Sequence, residues 1–210
     1  MKSNHILFET ILVALIAIGG MVFIPQAKLL FALIPVAYLL IDRRLRNRTW
    51  AEVGFKFSSF WQDLRANWVW FVLAGIIVQP LTALLTRTFA PAYLEHVISR
   101  LPFPQDINWL TLIPLLAVSL IAEEMTFRSL IQGRLTLFIG NTGAILIASI
   151  LFAIAHFSPG AFLIVATDLI TIFVDSILYG IIYARGNNLV LVWVAHFLGD
   201  VLGMIFIMSL

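Results

Sequence analysis

The chain has 210 residues, of which 61% are hydrophobic and only 11% are charged, and its mean hydropathy is +1.02. Soluble domains carry about 25% charged residues, so this composition is typical of a polytopic membrane protein. The sequence contains no cysteine, which excludes disulfides, thiolate metal sites and a cysteine nucleophile. The formal net charge is +2 and the basic residues are clustered, which argues against a nucleic-acid partner.

Seven apolar segments follow one another along the chain, most of them near the ~20 residues that cross a bilayer. They are residues 6–24, 27–41, 66–85, 109–130, 142–156, 161–183 and 189–210. The second and fifth are short, so we expect about seven spans, within a range of six to eight. The predicted fold class is all-α, a transmembrane helix bundle. Residues 1–65 are predicted to form two N-terminal spans and a basic loop, and residues 66–210 the catalytic bundle.

The loop between the second and third segments, DRRLRNRTWAEVGFKF, contains four arginines and Lys56. By the positive-inside rule this loop is cytoplasmic. Of the 13 Lys and Arg residues, Lys28, Arg87 and Arg100 then lie on the outer side and the other ten on the inner side. This threading predicts a cytoplasmic N-terminus. Aromatic residues alternate with charge in the loop, so both an interfacial stretch and an ordinary solvated loop remain open.

The outer connection, residues 89–108, contains Pro91, Pro102 and Pro104. Prolines at this density argue against one continuous helix. His96, in the same connection, is predicted to lie at the surface.

The apolar run at residues 110–122 leads directly into Glu123, Glu124 and Arg128. Ionisable side chains inside a membrane are costly, which makes this cluster a candidate functional site. On a helix, Glu124 and Arg128 lie four residues apart on one face and can pair. Glu123 is rotated by roughly 100° from Glu124 and cannot share that arginine equally. Glu123 therefore requires a partner from another segment.

Two later segments offer such partners. Phe152 and His156 lie four apart in FAIAH, and His196 and Asp200 lie four apart in HFLGD. The helical rise per residue places these polar groups and the glutamates at similar depth, near mid-membrane.

The sixth segment contains two further acids. Asp168 and Asp175 lie seven residues apart on one helical face. They either line the same aqueous cavity or join helices by hydrogen bonds, and both interpretations remain open.

EEMTFR at 123–128, FAIAH at 152–156 and HFLGD at 196–200 resemble the three motifs of the CPBP family. This family comprises intramembrane CAAX proteases and bacteriocin-processing enzymes, once grouped as abortive-infection (Abi) proteins. The resemblance covers about residues 67–207. It implies peptide-bond hydrolysis within the membrane.

The resemblance also implies a role for each motif residue. Glu123 and His156 would activate a water, Glu124 and Arg128 would brace the site, and His196 would stabilise the oxyanion together with the last motif residue. That last residue is often asparagine in the family, whereas this chain has Asp200. An ionised carboxylate cannot donate a hydrogen bond, so we expect Asp200 to orient His196 instead.

A metal site is the alternative to a metal-free mechanism. Zinc or another divalent ion accepts histidine and carboxylate ligands, so Glu123, His156, His196 and Asp200 are its candidate ligands. The family has been described in both ways. We favour the metal-free mechanism, with no cofactor.

The predicted function is therefore that of an intramembrane endopeptidase in a bacterial-type inner membrane. Its partners are the bilayer and a peptide-precursor or membrane-anchored substrate. Cleavage of prenylated proteins is implied only by other branches of the family, and we do not predict it for this chain. The alternative is a non-proteolytic scaffold or carrier that retains the fold. Motifs of zinc site-two, presenilin-type and rhomboid proteases are absent from the sequence.

Overall fold

The computed structural model describes residues 2–99 and 108–208, and these residues form helices and short connections without any strand. The α-helices are α1 (Lys2–Phe23), α2 (Lys28–Leu45), α3 (Phe60–Val72), α4 (Val78–Phe89), α5 (Pro91–Ser99), α6 (Trp109–Glu124), α7 (Gly133–Ala155), α8 (Phe162–Gly186) and α9 (Leu189–Met208). The predicted all-α class is confirmed.

Within the described residues, six continuous helical runs are long and apolar enough to cross a membrane. They are Asn4–Phe23, Pro25–Leu45, Phe57–Phe89, Trp109–Ala155, Phe162–Gly186 and Leu189–Ile207. Large apolar side chains cover the outside of these helices; Leu110, for example, is 89% exposed. This surface suits contact with lipid, and the protein is an integral membrane protein.

The longest run, Trp109–Ala155, has 47 residues and reverses direction at Gly140. Gly140 has φ 72° and ψ 172°, a conformation that interrupts the helix and favours glycine. A straight helix would separate residues 123 and 156 by about 50 Å. Glu123 and His156 instead come within 3.7 Å of each other, so the two halves of the run are antiparallel. The six runs therefore cover most of each of the seven apolar segments predicted from the sequence, with the fourth and fifth segments in one run.

Two π-helical segments interrupt the α-helical geometry: Leu73–Ile77 joins α3 to α4, and Met125–Gln132 joins α6 to α7. At the end of the second segment, the Gly133 N–H donates to the carbonyl of Arg128, five residues earlier. All eight residues of that segment are buried. Such π-helical turns occur often at functional sites, and this one begins directly after Glu124.

Helix α9 packs against the first π-helical segment through small residues. A Cβ added to Gly199 would lie 2.9 Å from the Ala74 carbonyl oxygen, and one added to Gly75 would lie 3.0 Å from the Ala195 oxygen. Glycine at these positions lets the two backbones approach closely, as is common between membrane helices. This close crossing fixes the position of the α9 segment that carries His196.

The loop DRRLRNRTWAEVGFKF, residues 42–57, is called the arginine-rich loop below. It packs partly into the bundle, so neither an interfacial nor a solvated position describes all of it. Val53 is 2% exposed, and its carbonyl accepts a hydrogen bond of 2.7 Å from the Ser129 hydroxyl. The Gly54 carbonyl accepts from the Leu189 N–H at 2.7 Å. The side chains of Phe57 and Trp61 are each 71% exposed, as expected of a membrane interface.

Several residues that the threading assigns to the inner side lie together at one end of the bundle. Arg134 Nη2 is 2.6 Å from Asp42 Oδ2, Lys56 Nζ donates to the Gly186 carbonyl, and Arg185 donates to the Ala66 carbonyl. This arrangement agrees with the prediction that these basic residues lie on the same side of the membrane. We refer to it as the basic end of the bundle.

The prediction that His96 lies at the surface is wrong. Its side chain is 8% exposed, and Nε2 lies 3.7 Å from Asp168 Oδ2. The reason is that α5 packs against α8, where the Tyr93 and Thr171 hydroxyls lie 2.9 Å apart. The expectation for Pro102, Pro104 and Arg100 concerns positions outside the described residues.

Candidate active site

Glu124 forms the centre of a buried ion cluster. Its side chain is fully buried, and Oε2 accepts a hydrogen bond of 3.2 Å from Arg128 Nε. Oε1 lies 2.7 Å from His196 Nδ1, which donates to it. The pairing predicted from the four-residue spacing is thus confirmed, and the carboxylate has donors on both oxygens. Such charge-assisted hydrogen bonds are about twice as strong as neutral ones.

Arg128 is held on its other nitrogens by polar side chains. Nη2 donates to the Ser176 hydroxyl at 2.7 Å, and Nη1 donates to Gln132 Oε1 at 3.4 Å. Gln132 in turn donates to the Gly180 carbonyl at 2.8 Å. A buried cation is tolerated when its donors are satisfied in this way. Sequence reasoning missed Ser176 and Gln132, although Gln132 lies four residues after Arg128, a spacing that allows contact on a helix.

Glu123 has a different environment from its neighbour. Its side chain is 26% exposed, and Oε2 lies 3.7 Å from His156 Nε2. That separation is longer than a hydrogen bond. Oε2 is buried and accepts no hydrogen bond from the described residues. The structure therefore brings Glu123 to a partner from another helix, as the sequence required.

His156 is oriented by its own helix. Nδ1 lies 2.8 Å from the Phe152 carbonyl oxygen. Because a carbonyl can only accept, Nδ1 carries the proton, and Nε2 of the neutral ring presents its lone pair on the side of Glu123.

His196 is oriented by a hydrogen bond to Glu124. The hydrogen bond from Nδ1 to Glu124 Oε1 fixes the ring, which also stacks on Tyr179 with 4.4 Å between centroids. Nε2 lies 3.7 Å from Asp200 Oδ1. The bond to Glu124 forms because α6 packs beside α9. That Asp200 also orients His196 stays a prediction. A role for Asp200 in the reaction stays a prediction.

Phe152 lies between the two histidines. Its ring centroid is 4.4 Å from that of His156 and 6.0 Å from that of His196. The Arg128 guanidinium carbon lies 5.6 Å from the same centroid. One aromatic ring therefore connects the Glu123–His156 pair to the Glu124–Arg128–His196 cluster, so the three motifs converge in space.

The two acids of α8 have partners of their own. Asp175 Oδ2 accepts a hydrogen bond of 2.8 Å from Gln79 Nε2 on α4, and Asp168 faces His96 on α5. These contacts join α8 to its neighbours and favour the interpretation of both acids as links between helices.

The candidate metal ligands do not form a metal site as they are placed. Across residues 2–99 and 108–208, no group of three or more histidine or carboxylate side chains is close enough to hold an ion. A catalytic zinc site requires three protein ligands. Nδ1 of His196 is bonded to Glu124 and Nδ1 of His156 to a carbonyl, which leaves Nε2 of each ring as the nitrogen that could bind a metal. The metal-free mechanism stays a prediction, and the mechanism proposed for these residues uses no metal.

Residues 105–202 match the family described as type II CAAX prenyl endopeptidase Rce1-like. No curated protein and no solved structure matches the chain. The matched region contains all three motifs, at 123–128, 152–156 and 196–200. The resemblance to CAAX-type intramembrane proteases is therefore confirmed over this region of the chain.

Proposed function

We propose that the protein is an intramembrane endopeptidase that hydrolyses peptide bonds with a water activated by Glu123 and His156. The observation that supports this most directly is the contrast between the two glutamates. Glu124 is fully paired, whereas Glu123 Oε2 accepts no hydrogen bond from the described residues and faces His156 Nε2 at 3.7 Å. Glu123 Oε2 and His156 Nε2 are both hydrogen-bond acceptors. A water molecule between them could donate one O–H group to each.

In the first step the water oxygen attacks the carbonyl carbon of the scissile bond, and Glu123 takes the proton. His156 accepts the second O–H of the water through Nε2 and holds the nucleophile in place. The carbonyl oxygen becomes an oxyanion. When the C–N bond breaks, the leaving amine takes the proton back from Glu123. A general base placed in this way contributes a factor of about 10²–10⁴ to the rate.

His196 is the proposed donor to the oxyanion. Its Nδ1 proton is committed to Glu124, so donation from Nε2 requires the imidazolium form. Its charge is balanced by the Glu124 carboxylate, which Arg128 holds from the other side. A donor fixed before the reaction stabilises the developing charge without reorganisation. Arg128 and Glu124 act through His196, and they are positioning residues.

The substrate is a membrane-associated protein or a peptide precursor, as expected for a site near mid-membrane. The basic end of the bundle lies on the cytoplasmic side of a bacterial inner membrane, and the N-terminus lies on that side too. This orientation is supported by the asymmetry of the arginines.

The test is cleavage of membrane-peptide libraries by the purified protein in lipid nanodiscs, with products identified by mass spectrometry in H₂¹⁸O. Hydrolysis places ¹⁸O in the new carboxyl terminus. Glu123→Gln and His156→Ala are expected to abolish the products while remaining folded. Glu95→Gln and His5→Ala change the same residue types at exposed positions and are the matched controls.

Near-normal turnover by Glu123→Gln or His156→Ala would contradict the proposed roles. A carrier or scaffold that retains the fold would leave every peptide intact in the wild-type protein as well. The wild-type arm therefore separates the two candidate functions before any variant is compared.

A further inference from the structure

A cavity of about 460 Å³ lies at the basic end of the bundle. It is open on one side and is lined by the arginine-rich loop, the C-terminal part of the Met125–Gln132 π-helical segment, the start of α7 and the end of α8. The side chains that matter for its chemistry are those of Arg48, Glu52, Lys56, Arg134, Leu137 and Tyr183. None of the six predicted catalytic residues lines it, so the cavity is separate from the candidate active site.

Three cationic side chains line the cavity and retain donors. Arg134 pairs with Asp42 at 2.6 Å, but its Nε is buried and has no acceptor among the described residues. The Arg134 side chain is 4% exposed, so water access to Nε is restricted. Arg48 Nη1 lies 3.7 Å from Asp42 Oδ2, which is longer than a hydrogen bond. Lys56 donates one hydrogen bond to the Gly186 carbonyl, and an ammonium group has three donors.

One carboxylate on the cavity wall opposes these cations. Glu52 accepts hydrogen bonds from the backbone N–H of Thr49 at 2.6 Å and from its hydroxyl at 2.8 Å. These bonds, together with nearby Arg48, hold the pKa of Glu52 below its usual value. Glu52 is therefore ionised at neutral pH, and its Oε2 already accepts two hydrogen bonds from Thr49. The lining still has three cations against one carboxylate.

We propose that this cavity binds the phosphate-bearing headgroup of an anionic phospholipid. Arg48 and Lys56 supply donors for the phosphate, and Arg134 adds a third positive charge to the cavity wall. Leu137, on the same wall, is 70% exposed on the apolar surface of the bundle and is available to an acyl chain. Basic pockets between membrane helices on the side with anionic lipid bind headgroups in this way. A dissolved anion would use the cations but gain nothing from Leu137.

The experiment titrates fluorescent phosphatidylglycerol into the full-length protein in neutral detergent micelles at physiological salt. Arg48→Gln is expected to weaken binding at least tenfold, the effect of losing one hydrogen bond to a charged group. Leu137→Ser should weaken it by a smaller factor. Arg44→Gln removes the same charge from an exposed position nearby that does not line the cavity, and it should leave the Kd within twofold.

Two competition arms identify the ligand. Unlabelled phosphatidylglycerol should displace the probe, whereas phosphatidylcholine and inorganic phosphate should not at equal concentration. Equal losses in Arg48→Gln and Arg44→Gln would mean general surface attraction and would overturn the proposal. Displacement by inorganic phosphate alone, or an unchanged Kd in Leu137→Ser, would assign the cavity to a dissolved anion and not to a lipid.

Discussion

Glu123 and Glu124 are neighbours in the chain, yet they lie in opposite environments. Glu124 is fully buried and bonded to Arg128 and His196. Glu123 is 26% exposed and lies 3.7 Å from His156, with no hydrogen bond to Oε2 among the described residues. The difference follows from helical geometry, because successive side chains point about 100° apart and meet different helices. The hydrogen bonds of Glu124 hold Arg128 and His196 in fixed positions, whereas Glu123 Oε2 has no hydrogen bond that a reaction would have to break.

The largest expected effect separates the two glutamates. Glu123→Gln should lower turnover by a factor of about 10²–10⁴, because it removes the base and little else. Its unfolding midpoint in detergent should be unchanged or slightly raised, since no hydrogen bond to Oε2 is lost. Glu124→Gln should lose both activity and stability, because Arg128 and His196 would keep their donors without a countercharge. Similar stability losses in the two variants would contradict the comparison.

Removing the arginine tests the closed cluster itself. Arg128→Ala leaves Glu124 buried with only His196 as its partner, and breaking a buried pair in this way costs about 3–5 kcal/mol. The free energy of unfolding can be measured by denaturation with SDS in mixed micelles. Arg87→Ala, which changes an exposed arginine at the end of α4, is the control and should have little effect. An unchanged free energy in Arg128→Ala would mean that this arginine does not support Glu124.

A pair of serines gives a smaller and sharper test. Ser176 accepts a hydrogen bond from Arg128, so Ser176→Ala leaves a buried donor unsatisfied and should cost about 1–3 kcal/mol. Ser149 is fully buried too, but its hydroxyl has no hydrogen-bond partner among the described residues. Ser149→Ala should therefore be near neutral. Equal effects in the same unfolding assay would show that burial, and not the contact with Arg128, determines the cost.

The smallest effect is expected at Asp200, where the metal-free and metal-dependent mechanisms differ. Because Glu124 already orients His196, Asp200→Asn should change turnover by less than about threefold, under about 1 kcal/mol in the barrier. A chelator should have little effect on either protein. Loss of activity in Asp200→Asn that added zinc restores would contradict the metal-free mechanism.

Part of the site follows from sequence because it is local. The bond between Glu124 and Arg128 spans one helical turn, and a four-residue spacing predicts it without knowledge of any other helix. The need of Glu123 for a distant partner follows from the same geometry. Hydropathy likewise predicts the apolar segments, because each must be long enough to cross the bilayer whatever its neighbours are.

The sequence by itself therefore determined the membrane class, the apolar segments, the Glu124–Arg128 pair and the motifs that form the site. Only the tertiary structure decided that His196 bonds Glu124, that His96 is buried beside Asp168, and that Ser129 binds the arginine-rich loop. These contacts depend on how each helix is rotated and where it crosses its neighbours. The close approach at Gly75 and Gly199, for example, positions α9 against the first π-helical segment, and an apolar pattern without a polar face does not encode such a crossing.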